Sequence, residues 1–271
     1  MNFKEALKNF LYPARVLLGR FAISPLEQRV NNLGIIFTDT QMRNALIYKT
    51  AAFVAADKIE GDYLEFGVYT GRSFAMAFKC LREAFKDAST PNIWNTTQDC
   101  DERSALWERM RFFAFDSFQG LPGTTGLDAL SRDFAGGKFA CSEDDFKKNI
   151  ASEGVPLDRV VAVPGWFDDT VNNDTWAKYD IKSAAIVYID SDLYESAKTI
   201  LNSITPILVD GTVIIFDDWY NFKGNPELGE QRAFKEWQEA HPELTLIQYQ
   251  KEGPWKNSFI VQRSSDMPTR R

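Results

Sequence analysis

The stretch YLEFGVYTGRSF, residues 63–74, joins two kinds of pattern. Tyr63 to Phe66 is a short apolar run broken by one acid, Glu65. Gly67 and Gly71 then bracket a tight turn, and SFAMAFKCLREAF (73–85) follows at helical apolar spacing. A buried strand, a glycine turn and an amphipathic helix in that order form the repeating unit of a parallel α/β sheet. The unit recurs along the chain. RFFAF (111–115), RVVAV (159–163), AAIVYI (184–189) and GTVIIF (211–216) read as strands. TQMRNALIYKTAAFVAADKI (40–59), SEDDFKKNIASEG (142–154), ESAKTILNSITPIL (195–208) and GEQRAFKEWQEAH (229–241) read as helices. Thr38 or Thr40 is a cap for the first of these, and Ser142 and Gly154 open and close the second. LTLIQYQ (244–250) and NSFIVQR (257–263) lie too close together for a crossover and suit a hairpin. The expected fold is therefore α/β: a mostly parallel, doubly wound sheet with helices on both faces and an antiparallel final strand at or near one edge.

The 271 residues are 44% hydrophobic and 25% charged, with a net charge of -7. That suits one large domain, expected over 41–262, and no Pro/Gly/Ser-rich linker divides it. An acidic chain lacks the basic field that nucleic acid binding needs. Cys80, Cys100 and Cys141 show no CxxC spacing and cannot all pair, which reads as a reducing, cytoplasmic setting and no cysteine-built metal site. No apolar run reaches the roughly 18 residues of a membrane span. Residues 1–40, with Lys4, Lys8, Arg15 and Arg20 among apolar residues, read as a helical arm or cap without the features of a signal peptide. Such an arm packs on its own domain or on a second copy in a homo-oligomer; a membrane surface is the other option. Residues 87–109 read as a polar insertion, and 263–271 as a frayed tail.

In open α/β sheets, ligands bind beyond the carboxyl ends of the strands. Those ends carry Glu65 with the glycine turn, Asp116–Ser117, Gly165–Trp166–Phe167, Asp190 and Asp217–Asp218. Every end except the third offers a carboxylate. The turn reads E-x-G-x-x-x-G, not the G-x-G-x-x-G that brings backbone amides to a pyrophosphate. An acid beside it repels phosphate and suits a phosphate-free cationic ligand, such as the ammonium and sulfonium of S-adenosylmethionine; a plain strand–helix turn is the alternative. Asp116 is placed to accept ribose hydroxyls, or else to cap the turn-rich DSFQGLPG (116–123). Asp190, Asp217 and Asp218 end neighbouring strands. Converging carboxylates repel unless a cation or shared protons relieve them, and hard oxygen ligands select Mg²⁺ or Ca²⁺. A solvated loop pair is the alternative for Asp217–Asp218. Asp192 to Glu195 reads as a capping box opening the next helix.

YLEFGVYTGRSF, FDSFQGLPG (115–123), FACSEDDFKKNI (139–150), PGWFDDTV (164–171), IDSDLYES (189–196) and FDDW (216–219) together carry a resemblance. In that order and context the chain resembles the macrocin-type O-methyltransferases over roughly residues 35 to 262. These are class I S-adenosylmethionine-dependent enzymes that methylate sugar or phenolic hydroxyls of antibiotics such as macrolides and novobiocin. The resemblance implies the Rossmann-like, seven-stranded methyltransferase sheet. It implies that Glu65, Gly67, Val68 and Gly71 hold the methionine part of the cofactor, helped by Thr70 and Ser73. Asp116 with Ser117 would take the ribose; Gly165, Trp166 and Phe167 would line the adenine; Asp190, Asp217 and Asp218 would bind Mg²⁺. The chain departs from the pattern in having one histidine, His241, which reads as a surface residue at a helix end. Deprotonation would then fall to a metal-ligating carboxylate, Asp190 first. The N-terminal cap and the loops bearing Tyr194, Trp219, Tyr220 and Lys223 would wall the acceptor pocket. The expected function is Mg²⁺-assisted methylation of a sugar or phenolic hydroxyl on a small-molecule natural product. A metal-independent methyltransferase, a nucleotide-binding dehydrogenase and a non-catalytic relative remain as alternatives.

Overall fold

The computed structural model describes residues 42–43, 45–93, 95–123, 128 and 136–263. The chain divides into two units, Met1–Ala45 and Leu46–Arg271. The arm expected over 1–40, the candidate caps Thr38 and Thr40, and the tail after Arg263 lie outside the described residues.

Within the second unit the strands are β1 (Asp62–Phe66), β2 (Phe112–Asp116), β3 (Val160–Pro164), β4 (Ala184–Ile189), β5 (Leu208–Phe216), β6 (Leu244–Glu252) and β7 (Lys256–Arg263). The helices are α1 (Leu46–Ala56), α2 (Arg72–Ala88), α3 (Thr97–Arg109), α4 (Glu143–Ser152), α5 (Phe167–Thr170), α6 (Asn173–Lys178), α7 (Tyr194–Ile204) and α8 (Gly229–Ala240). One seven-stranded sheet runs β3-β2-β1-β4-β5-β7-β6. β1 to β5 are parallel, and β7 lies antiparallel between β5 and β6, so β6 takes the edge. β1 and β4 are buried along their whole length, which is why they read as continuous apolar runs and not as alternating ones. α2 buries Phe74, Phe78, Leu81 and Phe85 in one stripe. The chain winds outward from β1 to β3 and then returns to β4 on the other side of β1. The crevice that this reversal opens at the carboxyl ends of β1 and β4 is where such sheets bind ligands.

Two glycines shape that crevice. Gly67 has φ 86°, and a Cβ on it would lie 1.9 Å from the carbonyl oxygen of Asp190. Gly71 has φ 83°, and a Cβ there would lie 2.4 Å from Ile150 on α4. Both positions need the left-handed conformation and the missing side chain at once.

Most of the segment 87–109, read from the sequence as a polar insertion, is α3. A reciprocal capping box opens this helix: Thr96 accepts from the Asp99 backbone, and the Asp99 side chain accepts from the Thr96 backbone. It buries only Cys100 and Arg103, too few apolar residues to show a helical stripe in the sequence. Arg103 donates to the carbonyls of Ala55, Ala56 and Ala88 and to Asn95 Oδ1, joining the ends of α1 and α2. Among the described residues, no helix is long and apolar enough to cross a membrane. Cys80, Cys100 and Cys141 are all free.

Candidate active site

A cavity of ≈ 620 Å³ opens over the carboxyl ends of the parallel strands. Gly67, Asp116, Ser117, Gly165, Trp166 and Phe167, all expected at the cofactor, line it, as do Asp190, Asp217 and Asp218. Glu65, Val68, Thr70, Gly71 and Ser73 are not on its wall.

Asp116 holds the glycine turn onto β2. Its Oδ2 accepts the N–H groups of Val68 (2.8 Å) and Tyr69 (3.1 Å), and its Oδ1 that of Phe118 (2.7 Å). A carboxylate offers about four lone-pair sites, so acceptor capacity remains on Oδ1 for a ligand hydroxyl. Ser117 Oγ donates to the carbonyl of Gly120 at 2.8 Å. Glu65 is fully buried. Its Oε1 accepts from Ser73 Oγ at 2.5 Å and its Oε2 from the Tyr63 hydroxyl. Burial, opposed by these two hydrogen bonds, pushes its pKa up to about 7.

At the ends of β4 and β5, oxygens of Asp190, Asp192 and Asp218 lie within 4.8 Å of one another. Burial, followed by the neighbouring carboxylates, raises Asp190 well above the usual range and Asp218 to about 9. Burial also raises Asp192. Asp217 lies beside this group but outside it. Its Oδ1 takes the Lys256 ammonium at 2.5 Å and the Tyr188 hydroxyl, and Lys256 in turn donates to Tyr188 at 2.7 Å. The expected set of Asp190, Asp217 and Asp218 thus gains Asp192, while Asp217 is engaged by a cation of the protein.

Asp192 was expected to cap α7, and it does not. Its φ of 60° belongs to the left-handed region, and Leu193 occupies the N-cap without a side-chain bond. The cap comes from far away in the chain: Asp128 accepts the N–H groups of Tyr194 (2.8 Å) and Glu195 (3.2 Å). Asp218 is steadied by α8, its N–H donating to Glu230 Oε2 at 3.1 Å. Asp218 Oδ2, Glu230 Oε1 and Ser191 Oγ are buried with no hydrogen-bond partner. An all-oxygen donor set with unpartnered buried acceptors beside it fits a hard divalent cation.

The residues expected to wall the acceptor pocket are elsewhere. Tyr194 is buried, with its hydroxyl donating to Glu236. Trp219 packs in the core against Phe216, Phe234 and Phe259. Tyr220 lies under the Lys251 ammonium, and neither it nor Lys223 faces the cavity. The aromatic rings left exposed on the wall are Tyr69, Phe139 and Trp166. His241 follows α8, contacts Glu243 at 2.9 Å, and is not on the wall. Tyr69, Phe139, Asp128 and Glu230 were missed by sequence reasoning. Tyr69, inside the glycine turn, and Phe139, at the head of FACSEDDFKKNI, stood next to readable signals.

Residues 102–251 match the family described as Macrocin-O-methyltransferase (TylF), more than half of the chain. A 172-residue stretch is 28% identical to the "8-demethyl-8-(2,3-dimethoxy-alpha-L-rhamnosyl)-tetracenomycin-C 4'-O-methyltransferase" of Streptomyces olivaceus, covering 61% of this chain and 56% of that one. A 171-residue stretch is 26% identical to the "Demethyldecarbamoylnovobiocin O-methyltransferase" of Streptomyces niveus, covering 61% of this chain and 55% of that one. The chain thus spans a little over half the length of the curated relatives it matches. Among solved structures, the calicheamicin methyltransferase CalS11 superposes with a TM-score of 0.61 at 21% identity, covering 98% of this chain and 95% of that one; this likeness is one of fold.

Proposed function

The chain belongs to the macrocin O-methyltransferase family, and from that premise we propose that it methylates a hydroxyl of a sugar or phenolic group on a small-molecule natural product, with S-adenosylmethionine as donor and Mg²⁺ as aid. The observation that carries this reading is the joining of two half-sites. Gly67, in the cofactor turn, abuts the main chain of Asp190, in the carboxylate group. A methyl donor over the turn and an acceptor hydroxyl over the acids would therefore be neighbours.

Asp190, Asp192 and Asp218 would hold the ion. When bound, it supplies acidification of the substrate hydroxyl and charge neutralisation. The chain's own residues do the rest. Gly67 and Asp116 would seat the donor, with Ser117 beside the ribose and Trp166 against the adenine. Glu65, Val68, Thr70, Gly71 and Ser73 would shape the turn from behind, Glu65 acting through its field and its bond to Ser73. Asp190 accepts the hydroxyl proton. It is the carboxylate residue whose backbone touches the turn, whereas Asp217 is already committed to Lys256 and Tyr188. Bound S-adenosylmethionine would supply the methyl group to that oxygen, its sulfur–carbon bond breaking as the new carbon–oxygen bond forms, with S-adenosylhomocysteine as the other product. Alignment of this kind can supply roughly 7–11 kcal/mol of the barrier.

Calorimetric titration of S-adenosylhomocysteine with and without Mg²⁺ tests the reading. We expect micromolar binding, and turnover that stops in chelator. Absence of binding in both conditions would overturn the methyltransferase reading. Undiminished turnover in chelator would leave a metal-independent transferase.

A further inference from the structure

Helix α7 begins just after Asp192, and its first turn bears on where that carboxylate goes. The opening N–H groups of a helix have no partner inside it and need an acceptor from outside. A residue that caps with its own side chain does so from extended backbone, reaching the N–H two or three residues on. From Asp192 those would be the N–H groups of Tyr194 and Glu195. They are the two that Asp128 takes, one on each carboxylate oxygen, at 2.8 and 3.2 Å. Asp128 is 4% exposed, and an acid in that place also meets the positive end of the helix dipole. It stands on the chain between β2 and α4, so the cap is brought from another part of the fold.

Asp192, relieved of the cap, has a backbone that capping excludes. Its φ is 60°, and the N–H of Leu193 donates across it to the carbonyl of Ser191 at 2.6 Å. A hydrogen bond closing three residues around a positive φ is the rare, strained form of the γ-turn. Strain of this kind persists where the surroundings hold it, and it gathers at functional sites. Ser191 does not hold the turn with its side chain, because its buried Oγ has no hydrogen-bond partner. The turn brings an Asp192 oxygen within 4.8 Å of oxygens of Asp190 and Asp218. One carboxylate cannot serve both places. Extended backbone would take it to the helix; the left-handed turn takes it to the acids.

We propose that Asp128 is a positioning residue for the ion site: by filling the α7 cap it keeps Asp192 in the γ-turn, available with Asp190 and Asp218 to a divalent cation. The inference rests on the Mg²⁺-assisted reading above. Asp128 acts without being a ligand, since both of its oxygens are taken by the helix and it stands outside the three-acid group.

The test is calorimetric titration of Mg²⁺ into the full chain and its Asp128→Ala variant, with Mn²⁺ followed by electron paramagnetic resonance as a second probe. Without Asp128, Asp192 is expected to move to the open cap. Affinity for Mg²⁺ then falls at least about tenfold, the size found for groups that orient metal ligands. Affinity for S-adenosylhomocysteine is expected to stay as in the parent. Asp192→Asn, which tolerates the left-handed turn, is expected to cost as much Mg²⁺ affinity. The double variant loses little more, because each single change removes the same carboxylate from the ion. Parent-like Mg²⁺ affinity in Asp128→Ala overturns the proposal, and so do losses that add in the double variant. An equal fall in S-adenosylhomocysteine affinity also overturns it, since that marks general damage to the cavity. Should Asp128→Ala fail to fold, Asp128→Asn keeps the size and one of the two acceptors. It is expected to lose Mg²⁺ affinity several-fold, and parent-like affinity there overturns the proposal as well. A parent that binds S-adenosylhomocysteine but no Mg²⁺ takes down the metal part of the reading and this inference with it. A parent that binds both, with Asp128→Ala unchanged, takes down this inference alone.

Discussion

Glu65 meets no solvent and only two hydroxyls, those of Tyr63 and Ser73. Burial first, tempered by those hydrogen bonds, raises its pKa from 4.5 to about 7. The folded state therefore binds this proton more tightly than the unfolded chain does. Stability is fully present below the unfolded value and falls as pH rises through the window from 4.5 to about 7, by about 3 kcal/mol in all. Glu65→Gln removes that dependence. Measured as melting temperature against pH, the variant is expected to gain on the parent from about pH 5 to about pH 8. A gap that stays constant would show the carboxylate ionised throughout. Glu65 was legible in the sequence because its partners Tyr63 and Ser73 are also neighbours in the chain, and the two glycines because the turn they bracket is local, although what they abut is not. Asp192 was not. Its D-x-x-E spacing imitates a capping box, and only the long-range bond that the Tyr194 N–H donates to Asp128, 66 positions from Tyr194, shows that the cap was already filled.

An element can be just as hard to read when its partners are distant. α3 shows a clear start in Thr96 and Asp99, yet little apolar stripe, because the side chain that docks it is a charged one. Arg103 is 9% exposed and hydrogen-bonds the carbonyls that end α1 and α2. Helix ends leave such carbonyls without partners inside the helix, and burying them unmet costs about 1–3 kcal/mol per group. Arg103→Met keeps the apolar stem and removes the donors. It is expected to lower unfolding stability by about 3 kcal/mol, read as the urea midpoint at an unchanged slope. A loss below about 0.5 kcal/mol, the size of a surface substitution, would mean that water already serves those carbonyls. The strands were far easier to read. β1 and β4 are buried on both faces, so their apolar runs needed no knowledge of the partner strand. The order of β7 and β6 in the sheet depended on pairing, which local pattern does not encode.

Over the whole molecule the net charge of -7 is unevenly spread. The carboxylates of Asp190, Asp192, Asp217, Asp218 and Glu230 gather at the carboxyl ends of the interior strands β4 and β5, with the Lys256 ammonium bonded to Asp217. That acids would end neighbouring strands could be read from the sequence; which of them touch depended on backbone angles such as the φ of 60° at Asp192. Their crowding has a consequence for stability. Burial, then neighbouring carboxylates, raises Asp218 from 3.8 to about 9 and moves Asp190 and Glu230 well upward too. Each raised carboxylate makes the folded state the stronger proton binder, so its contribution is present below the unfolded value and is lost as pH climbs. For Asp218 that window runs from 3.8 to about 9. Protein in chelator is therefore expected to lose melting temperature steadily between about pH 6 and about pH 8.5. Mg²⁺ at the proposed site competes with the same protons, so its effect has the opposite slope. Its stabilisation should grow with pH, toward about 2.7 kcal/mol at a hundredfold excess over Kd. Paired melting curves in chelator and in Mg²⁺ at the two ends of that range decide the matter. A Mg²⁺ shift that is the same at both ends would mean the acids are ionised without the ion, and the competition between protons and cation at these strand ends would have to be abandoned.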